Sequence, residues 1–257
     1  MASDISWKKI WDDKGFENHD FSLSPVIITA KEIKKSCQGF TTTHDKEVRI
    51  LCKQDEREDR PQIFKDKELF ILPKKNGSYY IIKGDGYVDI PDITTPIIDY
   101  HKQLDFDLES SNVGDSEMQH LDYAYANSLI RTFMNDTSLV LTIRGRKYTP
   151  PFKCKVCGFE IDIESVQTEV DAGYEGKKQI VLIEAKNSAN TNEIIRQLYF
   201  PFRQWSESTT KKVIPVFFEK RIVNGESLYY IWQFMFSDVY DYNSIQLVKS
   251  ARYRIVK

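Results

Sequence analysis

At 257 residues, with 41% hydrophobic and 29% charged side chains, the chain is long enough for one large domain or two modest ones around a real core. Its formal charge of −2 excludes a globally basic nucleic-acid binder, so any such surface has to be local. No stretch reaches the roughly 20 apolar residues of a membrane span. The opening MASDISWKKIWDDKGFENHD lacks a signal-peptide core, and four cysteines are too few for a disulfide framework, so a cytoplasmic protein without a membrane partner is expected.

Trp7, Ile10, Trp11 and Phe16 recur at loosely helical spacing and predict a short helix anchored by aromatics. PVIITAKEIKKSC reads as a strand and then a helix opened by Thr29, with Glu32 completing a capping box and Lys31, Lys34 and Lys35 making it basic. Val48, Ile50 and Cys52 alternate and predict a strand, followed by a solvated loop from Gln54 to Arg60; Arg49 and Lys53 are candidates for phosphate contact. Asn76-Gly77 between two apolar runs predicts a hairpin, because that dipeptide accepts the positive φ of a tight turn. Residues 1–105 thus read as a small α+β module, ending in an Asp/Ser/Asn/Gly-rich linker from Asp105 to Asp115.

An Asp115/Ser116 cap then opens an amphipathic helix with apolar residues at Met118, Leu121, Tyr125, Leu129 and Phe133. Arg144, Arg146 and Lys147 form the densest basic cluster and are read as contacts to a phosphate backbone. Cys154-x-x-Cys157 has the spacing of zinc ligands, but structural zinc takes four, and Cys37 and Cys52 are remote and unpaired in spacing. No zinc is expected, and a turn at Lys155-Val156 accounts for the spacing.

VQTEVDAGYEGKKQIVLIEAK, residues 166–186, reads as a hairpin about a Gly-containing turn, its second strand apolar until Glu184-Ala185-Lys186. Alternation puts Glu184 and Lys186 on one face, and Gln167, Glu169 and Asp171 on one face of the first strand. With those faces aligned, three carboxylates and a lysine converge, and close carboxylates cannot all stay ionised without a cation. Mg²⁺ suits such a cluster, since it takes oxygen ligands and binds through one or two carboxylates plus a substrate phosphate. Lys186 then orients a water for in-line attack on phosphorus. Symmetric pairing about Gly176 and Lys177 sets Glu169 opposite Glu184, whereas a looser turn brings Asp171 nearer. Asp171 is the preferred first ligand and Glu169 an alternate or second-metal ligand.

Asp171, twelve residues and then Glu184-Ala185-Lys186 resembles the signature of the PD-(D/E)XK nuclease superfamily, and the longer wording is similar to type II restriction endonucleases. Val170 stands where the motif has Pro. The resemblance implies that Asp171 and Glu184 bind Mg²⁺, with Mn²⁺ substituting, and that Lys186 assists the attacking water. It also implies an acid from the preceding helix, for which Glu117 is the candidate and Gln119 and Asp122 are competitors. In NSANTNEIIRQLYFPFRQW, a helix with Pro201 expected to end or kink it, the similarity extends to Arg196 and Gln197 as substrate-facing residues.

KKVIPVFFEKR and ESLYYIWQFMF read as strands joined at Asn224-Gly225, and SIQLVKSARYRIVK as a last strand. The expected fold is α/β (α+β): a restriction-endonuclease-like core of a mixed central sheet flanked by helices over 106–257, preceded by a DNA-recognition module over 1–105. The expected function is Mg²⁺-dependent cleavage of a specific double-stranded DNA site by a homodimer, with a cognate DNA methyltransferase in the cell. A repair or junction-resolving nuclease and a non-catalytic DNA-binding protein are the alternatives.

Overall fold

The structure is a computed structural model that describes residues 3–257, and of Asn112 the backbone alone. In the N-terminal segment run α1 (Asp4–Lys14), β1 (Val26–Thr29), α2 (Ala30–Ser36), α3 (Thr43–Lys46), α4 (Val48–Leu51), α5 (Gln62–Asp66), β2 (Leu69–Lys75) and β3 (Ser78–Lys83). Ser3 caps α1, and Gly15 closes it in the left-handed region at φ 64°. Trp7, Ile10 and Trp11 are buried against Ile33, Leu51 and Phe64; full burial of such side chains is worth about 1.5–3 kcal/mol each. Thr29 and Glu32 form the expected capping box of α2, and β2 and β3 pair antiparallel about Asn76-Gly77, with β1 on the far side of β3.

Two expectations for this segment are overturned. Residues 48–51 are helical, because Val48 and Leu51, three apart, are the pair that the core buries. Gln54 to Arg60 is no solvated loop either. Gln54 is buried, the Arg57 amide donates to Asn192 Oδ1 at 2.7 Å, and the Ile194 amide donates to the Asp55 carbonyl at 2.7 Å.

The rest of the chain comprises β4 (Tyr87–Asp89), β5 (Ile98–His101), α6 (Glu117–Ala126), α7 (Leu129–Met134), β6 (Val140–Tyr148), β7 (Phe152–Val156), β8 (Phe159–Ile163), β9 (Gln167–Glu175), β10 (Gln179–Lys186), β11 (Asn192–Ile194), α8 (Ile195–Ser206), β12 (Lys212–Val223), β13 (Glu226–Phe236) and β14 (Ile245–Val256). A seven-stranded mixed sheet is ordered β5-β14-β13-β12-β10-β9-β6. β10 runs parallel to β12, and β14 to β5; the other pairs are antiparallel. One face packs Leu182, Phe217 and Trp232 with Leu198 and Tyr199 of α8 and with the β7–β8 hairpin. The other packs Val181, Ile183 and Ile231 with Leu121 of α6 and Ile130 and Phe133 of α7. The molecule is therefore mixed α+β, a large mixed sheet flanked by helices, and β10 reads as an unbroken apolar run because both its faces are covered. β4 and β5 join the C-terminal part by pairing, β4 with β11 and β5 with β14. Among the described residues no helix is long and apolar enough to cross a membrane.

Three local expectations change here. The helix after Ser116 is broken at Asn127 and Ser128, where Ser128 takes φ 62°; the break turns Leu129, Ile130, Phe133 and Met134 onto the sheet. Of the two expectations for Pro201, an end or a kink, the end is not seen: its helix continues to Ser206 with Pro201 buried inside it. The β7–β8 turn falls at Cys157-Gly158, with φ 48° and 91°, rather than at Lys155-Val156.

Candidate active site

The β9–β10 hairpin turns through Gly176, whose amide donates to the Gln179 carbonyl at 2.8 Å. A Cβ there would lie 2.4 Å from Asp136 Oδ2, so any larger residue would displace that side chain from its bonds to Ser138 and Gln179. Pairing proceeds from Ile180 with Glu175 to Ile183 with Ala172, and the next step of that register sets Glu184 beside Asp171. The Ala185 amide donates to Asp171 Oδ2 at 2.8 Å and fixes that side chain at the end of the ladder.

Strict alternation along β9 fails at this point. Val170 pairs with Gly145 and Gly173 with Ile143, so β9 carries one residue more than β6 between those pairs. Val166 and Val170 accordingly pack on the Leu182 face, but Ala172 and Tyr174 on the opposite one. Such a bulge re-aims a side chain. It brings Asp171 onto the face of Leu182 and Glu184, while Glu169 lines the same cleft from an exposed position and accepts from Arg146 at 3.2 Å. Alternation alone put Glu169 and Asp171 on one face; the bulge re-aims Asp171, and both residues still line the cleft.

Lys186 Nζ lies 2.7 Å from Glu184 Oε1 and 3.6 Å from Glu193 Oε1. Burial pushes the Glu184 carboxyl up to about 7, against the pull of Lys186. Burial likewise raises Asp171, opposed by the Ala185 amide and Lys186. It pulls Lys186 the other way, but the carboxylates of Glu184 and Glu193 outweigh it and hold the ammonium protonated. Glu117, in the first turn of α6, faces the same space and is also raised by burial. Its competitors turn elsewhere: Gln119 donates to the Ser110 and Val113 carbonyls, and Asp122 binds Arg144.

Among the described residues no group of three or more His, Cys, Asp or Glu stands close enough to hold a metal ion. The donor set at the hairpin end is instead two carboxylates, those of Asp171 and Glu184. That all-oxygen pair, costly to bury and short of positive charge, fits Mg²⁺ completed by waters and a substrate phosphate. It does not fit a softer ion that needs nitrogen or sulfur ligands.

The site opens into a cleft of about 800 Å³ whose walls come from both halves of the chain. Glu117, Asp171, Glu184, Lys186, Arg196 and Gln197 line it from the C-terminal part, and Arg49, Lys53, Lys75, Asn76 and Tyr79 from the N-terminal segment. Arg49, Lys53, Arg196 and Gln197 thus line one cleft. Arg196 lies 3.4 Å from Asp55. Lys34 and Lys35 are exposed on α2 and do not line the cleft. On β6, Gly145 and Tyr148 reach the wall but the basic cluster does not: Arg144 pairs with Asp122, Arg146 with Glu169, and Lys147 lies 6.0 Å from the Trp205 ring.

Sequence reasoning missed Asp55, Lys75 and Glu193. Asp55 sits in a charge run that looked solvated, and Glu193 lies in a polar stretch with no periodicity to mark it. Lys75 had a usable signal, since it borders the Asn76-Gly77 turn.

Residues 4–81 match the model of a domain of unknown function, DUF6996, and residues 82–254 that of another, DUF6997. No curated protein and no solved structure matches the chain. The second model spans more than half of the chain and takes in the whole hairpin, the helix after it and the large sheet, so the chain belongs to the DUF6997 family.

Proposed function

We propose that the protein is a Mg²⁺-dependent nuclease with a restriction-endonuclease-like core, acting as a type II restriction endonuclease on a specific double-stranded DNA site. The observation that carries this reading is the juxtaposition of Asp171 and Glu184 across the hairpin end, with Lys186 half-buried beside Glu184 in a cleft. Asp171 and Glu184 would hold the ion, which when bound stabilises negative charge developing on phosphate oxygens. Lys186 Nζ carries protons to donate to the attacking water or to a phosphate oxygen, and the carboxylates of Glu184 and Glu193 keep it protonated for that role against the effect of burial. Arg49, Lys53, Lys75 and Arg196 line the cleft at positions suited to backbone phosphates. The wall contributed by the β2–β3 turn and the residues around α4 supports a recognition role for the N-terminal segment. Two copies around a symmetric DNA site are the expected assembly.

Long DNAs of known sequence, incubated with the full chain in Mg²⁺ and in a chelator, test this directly. Discrete Mg²⁺-dependent fragments are the expected result. Smearing or nicking would replace it with a repair or junction-resolving nuclease, and intact but retarded DNA with a binding protein.

A further inference from the structure

A lysine ammonium has three protons to place, and Lys186 is largely enclosed. Glu184 Oε1 takes one at 2.7 Å. The other facing carboxylate oxygen is Glu193 Oε1, 3.6 Å away. Glu193 has no exposed surface, and this oxygen has no hydrogen-bond partner. An unsatisfied buried polar atom costs about 1–3 kcal/mol, so its presence against the lysine calls for a reason.

The surrounding frame holds Glu193 in place from several directions. It is the middle residue of β11 and pairs with Val88 of β4. The next residue, Ile194, is tied to the Asp55 carbonyl. Its other oxygen accepts from Asn190 Nδ2 at 3.4 Å, and the Asn190 amide donates to Glu219 Oε1 at 2.9 Å. Glu219 is itself buried, stands beside Lys186 in the β10–β12 register, and is held by Arg221 at 2.6 Å. Segments distant in the chain thus fix one carboxylate against the amine.

We propose that Glu193 is the positioning residue of Lys186: when Asp171 and Glu184 take a divalent cation, Glu193 Oε1 accepts the ammonium that Glu184 gives up. This rests on the metal reading of the site. Without Glu193, Glu184 is the one ion-pair partner left to the lysine among the described residues, and the lysine competes with the ion for it. Loss of the acceptor therefore weakens the ion's binding through Lys186, in the way that groups supporting metal ligands commonly change affinity by about 10–100-fold.

The test is calorimetric titration of Mg²⁺ into the full-length chain. Glu193→Met, which removes the acceptor, is expected to lower affinity at least about tenfold, and Glu193→Gln, which keeps an oxygen there, to lower it less. In a Lys186→Met background the same substitutions are expected to change affinity by less than about twofold, because the competitor is gone. Equal losses in both backgrounds, or equal losses for Met and Gln, would mean that Glu193 acts only through its charge and would overturn the proposal while leaving the metal site intact. No binding by the wild-type chain would overturn the metal reading and this proposal together. Should Glu193→Met fail to fold, Glu193→Gln compared across the two backgrounds gives the same decision.

Discussion

The charged ends of β10 and β6 lie two strands apart in one sheet and are built in opposite ways. On β6, Arg144 and Arg146 are spent on Asp122 and Glu169, and the Arg146–Glu169 pair has side chains 68% and 55% exposed. Pairs in water contribute at most about 1 kcal/mol and are screened by salt. At the end of β10, Glu184 and Lys186 are 10% and 19% exposed and Glu193 is fully enclosed. There each charge depends on its neighbours, because water is not available to replace them. Charge density in the sequence pointed to β6 and an apolar strand ending in charge to β10, and desolvation is what distinguishes the two.

The largest effect expected from that contrast is on catalysis. Lys186→Met should reduce DNA cleavage by about 10²–10⁴-fold, the range for loss of a positioned proton donor, while DNA retention on a gel is kept. Cleavage at the wild-type rate would remove Lys186 from the reaction.

The buried side also predicts an unusual pH dependence. Glu184 is raised from 4.5 to about 7 in the folded chain, so between those values the folded state binds more protons than the unfolded one. Stability of the metal-free protein should therefore fall as pH rises through that window, by up to about 3 kcal/mol from this group. Glu184→Gln should flatten the decline in urea unfolding measured across it. An undiminished slope in the variant would assign the effect to another group. The opposite charge cluster sets the low end of the scale: Arg146→Ala should shift stability by no more than about 0.5 kcal/mol, read from the same unfolding curves.

The elements that matter were legible where local chemistry dictates them. The capping box at Thr29 and Glu32, the Asn-Gly turns, and the apolar run of β10 ending in Glu184-Ala185-Lys186 are all visible in the sequence, and each forms. What escaped depends on partners far along the chain. The bulge that turns Asp171 toward Glu184 arises from the count of residues against β6, which no local pattern records. Gln54 to Arg60 looked solvated because its partners, Asn190, Asn192 and Ile194, lie more than 130 residues away. The break at Asn127-Ser128 follows from the sheet that α7 has to reach, in a stretch whose apolar spacing alone favours one continuous helix.

The most direct test of the central claim is calorimetric titration of Mg²⁺ into the metal-free wild-type chain and into Asp171→Asn, with folding of both checked by thermal unfolding. Binding by the wild type, together with its loss in the folded variant, is the result predicted if Asp171 and Glu184 form the cation site. Equal binding by the two proteins, or none by the wild type, would contradict it.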